Sequence, residues 1–266
     1  MAVLTMEFYS ASLCRAVTFR AILPNDVPPQ MRRAPHWDRP AKTLYLLHGY
    51  SGTSSDWMLN APMAELAVKY NLNIIFPAGE NGFYLDGVQT GRKYGTYVGQ
   101  ELVDYTRSVL GLSDRKEDTF IGGLSMGGFG AVHTALAWPE TFAKAFTLSG
   151  ALIIHNLKKL HPGEEDAVAN YEYYKLVFGD LDTAEQSPAN PEVLVEELLR
   201  AGRPLPGLYQ AIGTEDFLYE ENQIFRRFLE ERKVPLVYRE GPGTHDFVFW
   251  REHIEPAIRW LLEEKA

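Results

Sequence analysis

The chain has 266 residues, of which 45 % are hydrophobic, 12 % aromatic and 23 % charged, a composition typical of a globular protein with a substantial core. Its formal net charge is −9, and no lysine- and arginine-rich run occurs, so nucleic acid and anionic lipid are not expected as partners. The single cysteine, Cys14, excludes an internal disulfide and a metal site built from several thiolates.

The amino-terminal segment MAVLTMEFYSASLCR has neither the basic region nor the continuous apolar region of a secretory signal. No stretch of the sequence approaches the roughly eighteen apolar residues of a membrane-spanning helix. Together with the single cysteine, these features lead us to expect a cytoplasmic protein with no membrane partner.

Two alternating segments, MEFYSAS and CRAVTFRAILP, are expected to pair as antiparallel edge strands. Short β-rich runs that end in glycine or in a turn follow, and they are typical of buried parallel strands. These runs are TLYLLHG (43–49), LNIIFPAG (72–79), TFIGGLS (119–125), AKAFTLSG (143–150), GLYQAIG (207–213) and PLVYREG (235–241). Amphipathic helical segments lie between and after them, so we predict a single α/β domain over residues 1–266, with a mostly parallel sheet and helices on both faces.

Residues 151–205 interrupt this alternation with a polar, helix-like sequence. An insertion after the sixth strand would lie over the carboxyl ends of the parallel strands, where α/β folds bind ligands. We therefore expect a small helical cap. A long helical connection that never contacts a substrate would give the same sequence pattern.

The pentapeptide Gly123-Leu124-Ser125-Met126-Gly127 matches G-x-S-x-G and lies between a β-rich run and a helical segment. A serine on a sharp strand-to-helix turn has a strained backbone, and side chains two positions before and after it would collide, which explains both glycines. The turn also leaves the first N–H groups of the helix free, so the Met126 N–H can face a developing oxyanion. The alternative is a glycine-rich helix that simply packs closely on the sheet.

A serine nucleophile needs a base and an orienting acid, which follow it in the order Ser, Asp/Glu, His in this architecture. Asp216 follows one predicted strand and His245 follows the last one, so both side chains are expected at the same edge of the sheet as Ser125. Glu215 competes with Asp216, because only one of two neighbours can point inward from a turn. The other histidines lie in predicted helices, in loops, in the insertion or upstream of the serine.

The loop LLHGYSGTSSDW follows the third predicted strand, which is where this architecture places the second oxyanion donor. Gly49 permits the tight turn, and we expect Tyr50 to supply the N–H. A polar surface turn that caps the next helix through Ser55 or Asp56 would explain the serines but not the His-Gly pair.

Three aromatic residues, Trp57, Tyr84 and Tyr97, are candidates for the walls of a substrate pocket, although aromatic side chains just as readily pack in a core. No H-E-x-x-H or similar ligand spacing occurs in the sequence. We therefore expect no metal and no other cofactor.

Together these segments resemble the putative-esterase branch of the α/β-hydrolases, which contains S-formylglutathione hydrolases, feruloyl and acetyl-xylan esterases and mycolyltransferases. The resemblance covers about residues 6 to 262 and is strongest to the bacterial tributyrin esterase-like proteins. The motifs that carry it are LYLLHGYSG, NGFYLDG, TFIGGLSMGGFGA, FTLSGAL, GTEDFLY and GTHDFVFW.

This resemblance implies an α/β-hydrolase fold with a small cap. It implies that Ser125 is the nucleophile, His245 the base and Asp216, rather than its neighbour, the acid. It also implies that the backbone N–H groups of Tyr50 and Met126 form the oxyanion hole.

The expected function is that of a serine carboxylesterase that hydrolyses small, short-acyl esters, with homo-oligomerisation left open. One alternative is removal of acetyl or feruloyl groups from oligosaccharides. The secreted enzymes with that activity carry export signals, whose features the amino-terminal segment of this sequence lacks. Another is an S-formylglutathione hydrolase-like thioesterase, but the S-G-L-T-C-T of those enzymes is replaced here by HGYSGTSSDW, and Cys14 lies elsewhere. A non-catalytic scaffold would not need the nucleophile, base and acid together.

Overall fold

A computed structural model, which describes residues 1–263, contains an eight-stranded sheet in the order β1-β2-β4-β3-β5-β6-β7-β8. The strands are β1 (Ala2–Ser10), β2 (Arg15–Leu23), β3 (Lys42–Leu47), β4 (Leu72–Pro77), β5 (Thr119–Leu124), β6 (Lys144–Leu148), β7 (Gly207–Gly213) and β8 (Leu236–Gly241). β1 and β2 pair antiparallel with each other, and β2 pairs antiparallel with β4. The six strands from β3 to β8 run parallel, which confirms the predicted arrangement.

The central strands are continuous apolar runs because helices cover the sheet on both faces. Every residue of β4 and β5 is buried. The expectation that β8 is a buried strand was wrong: it lies at the edge of the sheet and is half-exposed, with Arg239 and Glu240 exposed. Charged side chains suit such a position, since they discourage pairing with a second chain.

The helices are α1 (Asp56–Asn60), α2 (Met63–Tyr70), α3 (Tyr94–Thr96), α4 (Leu102–Leu110), α5 (Met126–Ala137), α6 (Tyr171–Phe178), α7 (Pro191–Arg200), α8 (Tyr219–Glu231) and α9 (Phe247–Leu262). A π-helical turn, Tyr97–Glu101, joins α3 to α4. Helices α1, α2 and α9 bury apolar side chains in the core on one face of the sheet, and α4, α5 and α8 do so on the other. Within residues 1–263, no helix is both long and apolar enough to cross a membrane.

The predicted insertion connects β6 to β7 and contains a 3-10 segment, Ile153–Lys159, followed by α6 and α7. Each of its two helices begins at an asparagine cap. The Asn170 side chain accepts the N–H of Tyr173, and the Asn190 side chain accepts the N–H of Glu192, so each cap satisfies an N–H that the first helical turn leaves free. α7 packs on α5, which fixes the insertion next to the helix that follows Ser125.

Candidate active site

Ser125 connects β5 to α5 and has the strained backbone expected of a nucleophile elbow, with φ 53° and ψ −121°. The two glycines around it are required sterically. A Cβ at Gly123 would lie 2.4 Å from the carbonyl oxygen of Gly127, and a Cβ at Gly127 would lie 2.5 Å from the carbonyl oxygen of His48. Because the obstructing atoms belong to backbone, neither clash can be relieved by moving a side chain.

Three side chains predicted from the sequence meet at this elbow. The Ser125 Oγ lies 2.9 Å from the His245 Nε2, and the His245 Nδ1 lies 2.9 Å from the Asp216 Oδ2 and 3.0 Å from its Oδ1. Since the carboxylate can only accept, Nδ1 carries the proton and Nε2 is free to accept the serine hydroxyl. Glu215 is exposed, and its carboxylate accepts the N–H of Gly243, so it does not contact His245.

The environment of Asp216 keeps its fully buried carboxyl group ionised. Burial alone would raise the pKa of Asp216, but the hydrogen bonds from His245 and from the N–H of Leu218 outweigh it and lower the pKa below its ordinary value. The hydroxyl of Ser149 adds to this lowering of the Asp216 pKa. Asp216 is therefore a permanent acceptor that holds His245 in the tautomer just described.

Ser149 is part of this arrangement although sequence reasoning assigned it no role. It follows β6 with φ 50°, and its hydroxyl accepts the indole N–H of Trp250 at 3.0 Å. Trp250 in turn packs edge-on against the His245 ring, with the centroids 5.1 Å apart. The motif FTLSGAL contains Ser149 and is the sequence signal for this contact.

The two proposed oxyanion donors have free N–H groups. Within residues 1–263, neither the Tyr50 N–H nor the Met126 N–H donates to another group of the protein. The Met126 N–H is free because it opens α5, where no preceding turn supplies an acceptor. Both residues line the cavity that contains Ser125 and His245.

His48 orients the peptide that carries the Tyr50 N–H. Its Nε2 accepts the N–H of Gly79 at 2.9 Å, so its Nδ1 bears the proton and donates to the carbonyl of Gly49 at 2.8 Å. Burial lowers the pKa of His48 and keeps the ring neutral. In a trans peptide the N–H points opposite to the C=O, so the Tyr50 N–H is directed away from His48.

Contacts from two distant segments hold the same loop. The side-chain oxygen of Asn81 accepts the N–H of Ser51 at 2.7 Å. The backbone carbonyl of Asn81 accepts the hydroxyl of Tyr173, in α6, at 2.6 Å. The ring of Tyr173 packs edge-on against Tyr50 at a centroid distance of 5.6 Å. The hydroxyl of Tyr84 donates to the carbonyl of His48 at 3.1 Å. The insertion is thus tied to the loop that presents Tyr50.

A cavity of about 510 Å³ opens beside Ser125. Its size is that of a pocket for a small organic molecule. The insertion supplies a large part of its wall. The lining residues from the insertion are Ala151, Ile153, Asn156, Leu157, Leu160, Asp166, Ala167, Val168 and Tyr174.

The three aromatic residues chosen from the sequence as pocket candidates do not line this cavity. Trp57, Tyr84 and Tyr97 are at most 1 % exposed, and they fill the core behind it. The indole N–H of Trp57 donates to the carbonyl of Leu47. The aromatic residues that do line the cavity are Tyr50, Phe83, Tyr174, Phe217, Phe247 and Trp250. One of them, Phe83, is the immediate sequence neighbour of Tyr84.

The part of the chain that the structure describes contains no group of three or more histidine, cysteine, aspartate or glutamate side chains placed to hold a metal ion. The His245 imidazole can accept the proton of the Ser125 hydroxyl and return it, the Asp216 carboxylate can stabilise the imidazolium, and the free N–H groups can stabilise an oxyanion. The arrangement therefore suits acyl transfer from an ester or thioester.

A family model described as "Putative esterase" matches residues 10–261. The chain belongs to this family. It is 40 % identical over 261 residues to an acetyl esterase of Caldicellulosiruptor saccharolyticus, a match that covers 98 % of each chain. It is 26 % identical over 270 residues to an S-formylglutathione hydrolase of Paracoccus denitrificans, covering 93 % of this chain and 88 % of that one.

Among solved structures, FphF of Staphylococcus aureus, described as a fluorophosphonate-binding serine hydrolase, matches with a TM-score of 0.84 and 28 % identity, covering 99 % of both chains. These relatives confirm the α/β-hydrolase fold and the prediction of a serine esterase. The protein is a carboxylic ester hydrolase. The roles of individual residues and the preferred ester are predictions.

Proposed function

We propose that the protein hydrolyses short-acyl esters through an acyl-enzyme formed on Ser125. The hydrogen-bonded sequence from Ser125 Oγ through His245 to the buried Asp216 carries this proposal. A serine hydroxyl is a weak nucleophile unless a neighbouring base accepts its proton as it attacks. His245 Nε2 lies where such a base must lie.

In the first half of the reaction, the Ser125 Oγ bonds to the ester carbonyl carbon while its proton moves to His245 Nε2. The negative charge on the former carbonyl oxygen is stabilised by the N–H groups of Tyr50 and Met126. The bond to the alcohol oxygen then breaks, and His245 gives its proton to the departing alcohol. In the second half, water attacks the acyl-enzyme, His245 again accepts and returns a proton, and the carboxylic acid leaves.

Asp216 acts through His245 rather than on the substrate. Its ionised carboxylate keeps the proton on Nδ1 and stabilises the imidazolium that forms in each half-reaction. The Ser149 hydroxyl lowers the pKa of Asp216 and accepts the indole N–H of Trp250, which packs against His245. We therefore assign Ser149 and Trp250 as positioning residues.

We propose acetyl and other short-acyl esters as the substrates, because the relative with 40 % identity is an acetyl esterase. A cavity of about 510 Å³ leaves room for an alcohol much larger than methanol. A cytoplasmic location stays a prediction from the sequence, which leaves homo-oligomerisation open.

The test is hydrolysis of p-nitrophenyl acetate and butyrate by Ser125→Ala. We expect kcat/KM to fall about a million-fold, to the level left by binding and the oxyanion donors alone. Ser108→Ala removes an exposed hydroxyl of α4 and is the matched control, with activity unchanged. If Ser125→Ala, free of contaminating esterase, hydrolysed these esters at a rate near that of the natural protein, the proposed mechanism would be wrong.

A further inference from the structure

The ionisable side chains that line the cavity, apart from His245 and the tyrosines, all carry negative charge. Three carboxylates line it, those of Asp56, Asp166 and Glu221, and within residues 1–263 no lysine or arginine does. We propose that this cavity selects esters by the charge of the alcohol portion, with cationic alcohols preferred over uncharged ones and uncharged over anionic. The inference rests on the proposed function, because it takes the cavity beside Ser125 as the substrate site.

Among these three carboxylates, only that of Glu221 has a buried oxygen without a hydrogen-bond partner within residues 1–263. Glu221 lies in the first turn of α8, and its Oε1 accepts the amide N–H of Asn156 at 2.6 Å. The buried oxygen just described is its Oε2. An amide donor is neutral, so it leaves the charge of Glu221 in place, and a buried charge without a counter-ion favours a cation or a hydrogen-bond donor.

The other two carboxylates are also held by neutral groups. Asp166 accepts two backbone N–H groups and the hydroxyl of Tyr174, and Asp56 accepts the hydroxyl of Thr53 at 3.1 Å. Within residues 1–263, no ion pair includes either of them or Glu221. The hydrogen bonds fix the carboxylates in the wall without cancelling their charge.

No lysine or arginine side chain of the insertion lines the cavity. Lys158 pairs with Glu185, and His155 lies between Glu185 and Glu192. The Lys159 ammonium donates to the side-chain oxygen of Asn156, but Lys159 is exposed and does not line the cavity. A cleft with apolar walls and charges of one sign concentrates the field inside it, so the cavity attracts cations and repels anions.

The consequence for substrates is a rank order. At the effective dielectric of a partly solvated site, one unit charge on the alcohol changes kcat/KM by about fivefold to tenfold for carboxylates several ångströms away. A glutathione thioester, which carries a net negative charge, is disfavoured for this reason. The selection acts on the alcohol or thiol portion and leaves the transfer steps at Ser125 unchanged.

The experiment measures kcat/KM at low ionic strength for three acetate esters of aliphatic alcohols. Acetylcholine is cationic, 3,3-dimethylbutyl acetate is its uncharged isostere, and 3-sulfopropyl acetate is anionic. We expect acetylcholine to exceed its isostere about tenfold and the sulfonate to fall about tenfold below it, with both ratios shrinking as salt is added. Equal values for the isosteric pair, or a preference for the anion, would overturn the inference.

Two variants locate the effect in the cavity. Glu221→Gln should reduce the ratio of acetylcholine to its isostere about fivefold, and Asp56→Asn provides a second reading if Glu221→Gln does not fold. Glu220→Gln removes the same charge from the neighbouring exposed position, outside the cavity, and should leave the ratio unchanged. An equal shift in Glu220→Gln and Glu221→Gln would show that net charge, not the cavity, sets the preference. If the natural protein hydrolysed none of the three esters, this result would instead count against the proposed function.

Discussion

The carboxyl edge of the sheet and the insertion over residues 151–205 form opposite walls of the cavity, but they are fixed in different ways. At the sheet edge, backbone geometry determines the site: Ser125 has a positive φ, and its flanking glycines abut carbonyl oxygens. In the insertion, side chains such as Tyr173 and Asn156 determine it through contacts with distant segments. The chemistry is therefore set by a rigid backbone, whereas the shape and charge of the pocket are set by side-chain contacts that can change separately.

Among the variants that compare the two walls, the largest effect is expected from Gly127→Ala, which changes the backbone packing at the sheet edge. The added Cβ would lie 2.5 Å from the carbonyl oxygen of His48 and 2.6 Å from that of Leu47, so β3 and α5 must separate. We expect the free energy of unfolding to fall by about 3 kcal/mol and esterase activity to fall at least about a hundredfold. Thermal unfolding and p-nitrophenyl acetate hydrolysis measure both.

Gly241→Ala is the matched control for this variant. A Cβ there meets nothing within 4 Å, so stability should change by less than about 0.5 kcal/mol. A Gly127→Ala protein with the stability and activity of the natural protein would contradict the steric account of the elbow.

A smaller effect is expected from Asn81→Ala, which loosens the loop between the two walls. The variant loses the acceptor of the Ser51 N–H, so the Tyr50 N–H is less well oriented. We expect kcat to fall about tenfold with KM little changed, since the loss acts on the transition state. Asn81→Asp keeps an acceptor oxygen and should retain most of kcat. A higher KM with unchanged kcat in Asn81→Ala would refute this role.

Tyr173→Phe tests the link from the insertion to that loop. It removes the hydroxyl that donates to the carbonyl of Asn81 but keeps the ring contact with Tyr50, so kcat should fall only about threefold. Tyr171→Phe, on the same helix, is the control, because the Tyr171 hydroxyl makes no hydrogen bond within residues 1–263. Equal effects of the two variants would indicate that the link does not influence catalysis.

The smallest effect concerns the insertion alone and depends on pH. The hydrogen bond to Glu192, reinforced by Glu185, raises the pKa of His155 although partial burial lowers it. A raised pKa in the folded state means that protonated His155 stabilises the fold at acidic pH, and this contribution is lost as the pH rises through the raised pKa.

His155→Gln should therefore lower the melting temperature more at about pH 5.5 than at about pH 8.5, by a few degrees at most. His161→Gln, which changes an exposed histidine of the same insertion, should show no such difference. A larger destabilisation at alkaline pH would mean that the glutamates do not act on His155 in this way.

The sequence predicted the sheet, the elbow and the strand-end positions of His245 and of the Glu215-Asp216 pair, because each follows from local patterns of strands, turns and glycines. The choice of Asp216 over Glu215 rested on the resemblance to a known family. The pocket wall was not predictable in the same way. Phe83 lines the cavity while its neighbour Tyr84 is buried in the core, and nothing in NGFYLDG indicates which of the two faces outward. A shift of one residue moves a side chain from one environment to the other.

Contacts between distant segments were equally invisible in the sequence. The hydrogen bond from Tyr173 to Asn81 joins residues 92 positions apart, and the one from Trp250 to Ser149 joins residues 101 positions apart. Such pairs are fixed by how the insertion and α9 pack on the sheet, which no local pattern specifies.

The most direct test of the central claim is to identify the residue that reacts with an alkyl fluorophosphonate. After incubation and digestion, mass spectrometry should find one phosphonate on the peptide that contains Ser125. The rate of labelling should fall steeply in His245→Ala, because the base that activates the hydroxyl is gone. Labelling of a different residue, with Ser125 unmodified while esterase activity is lost, would contradict the account.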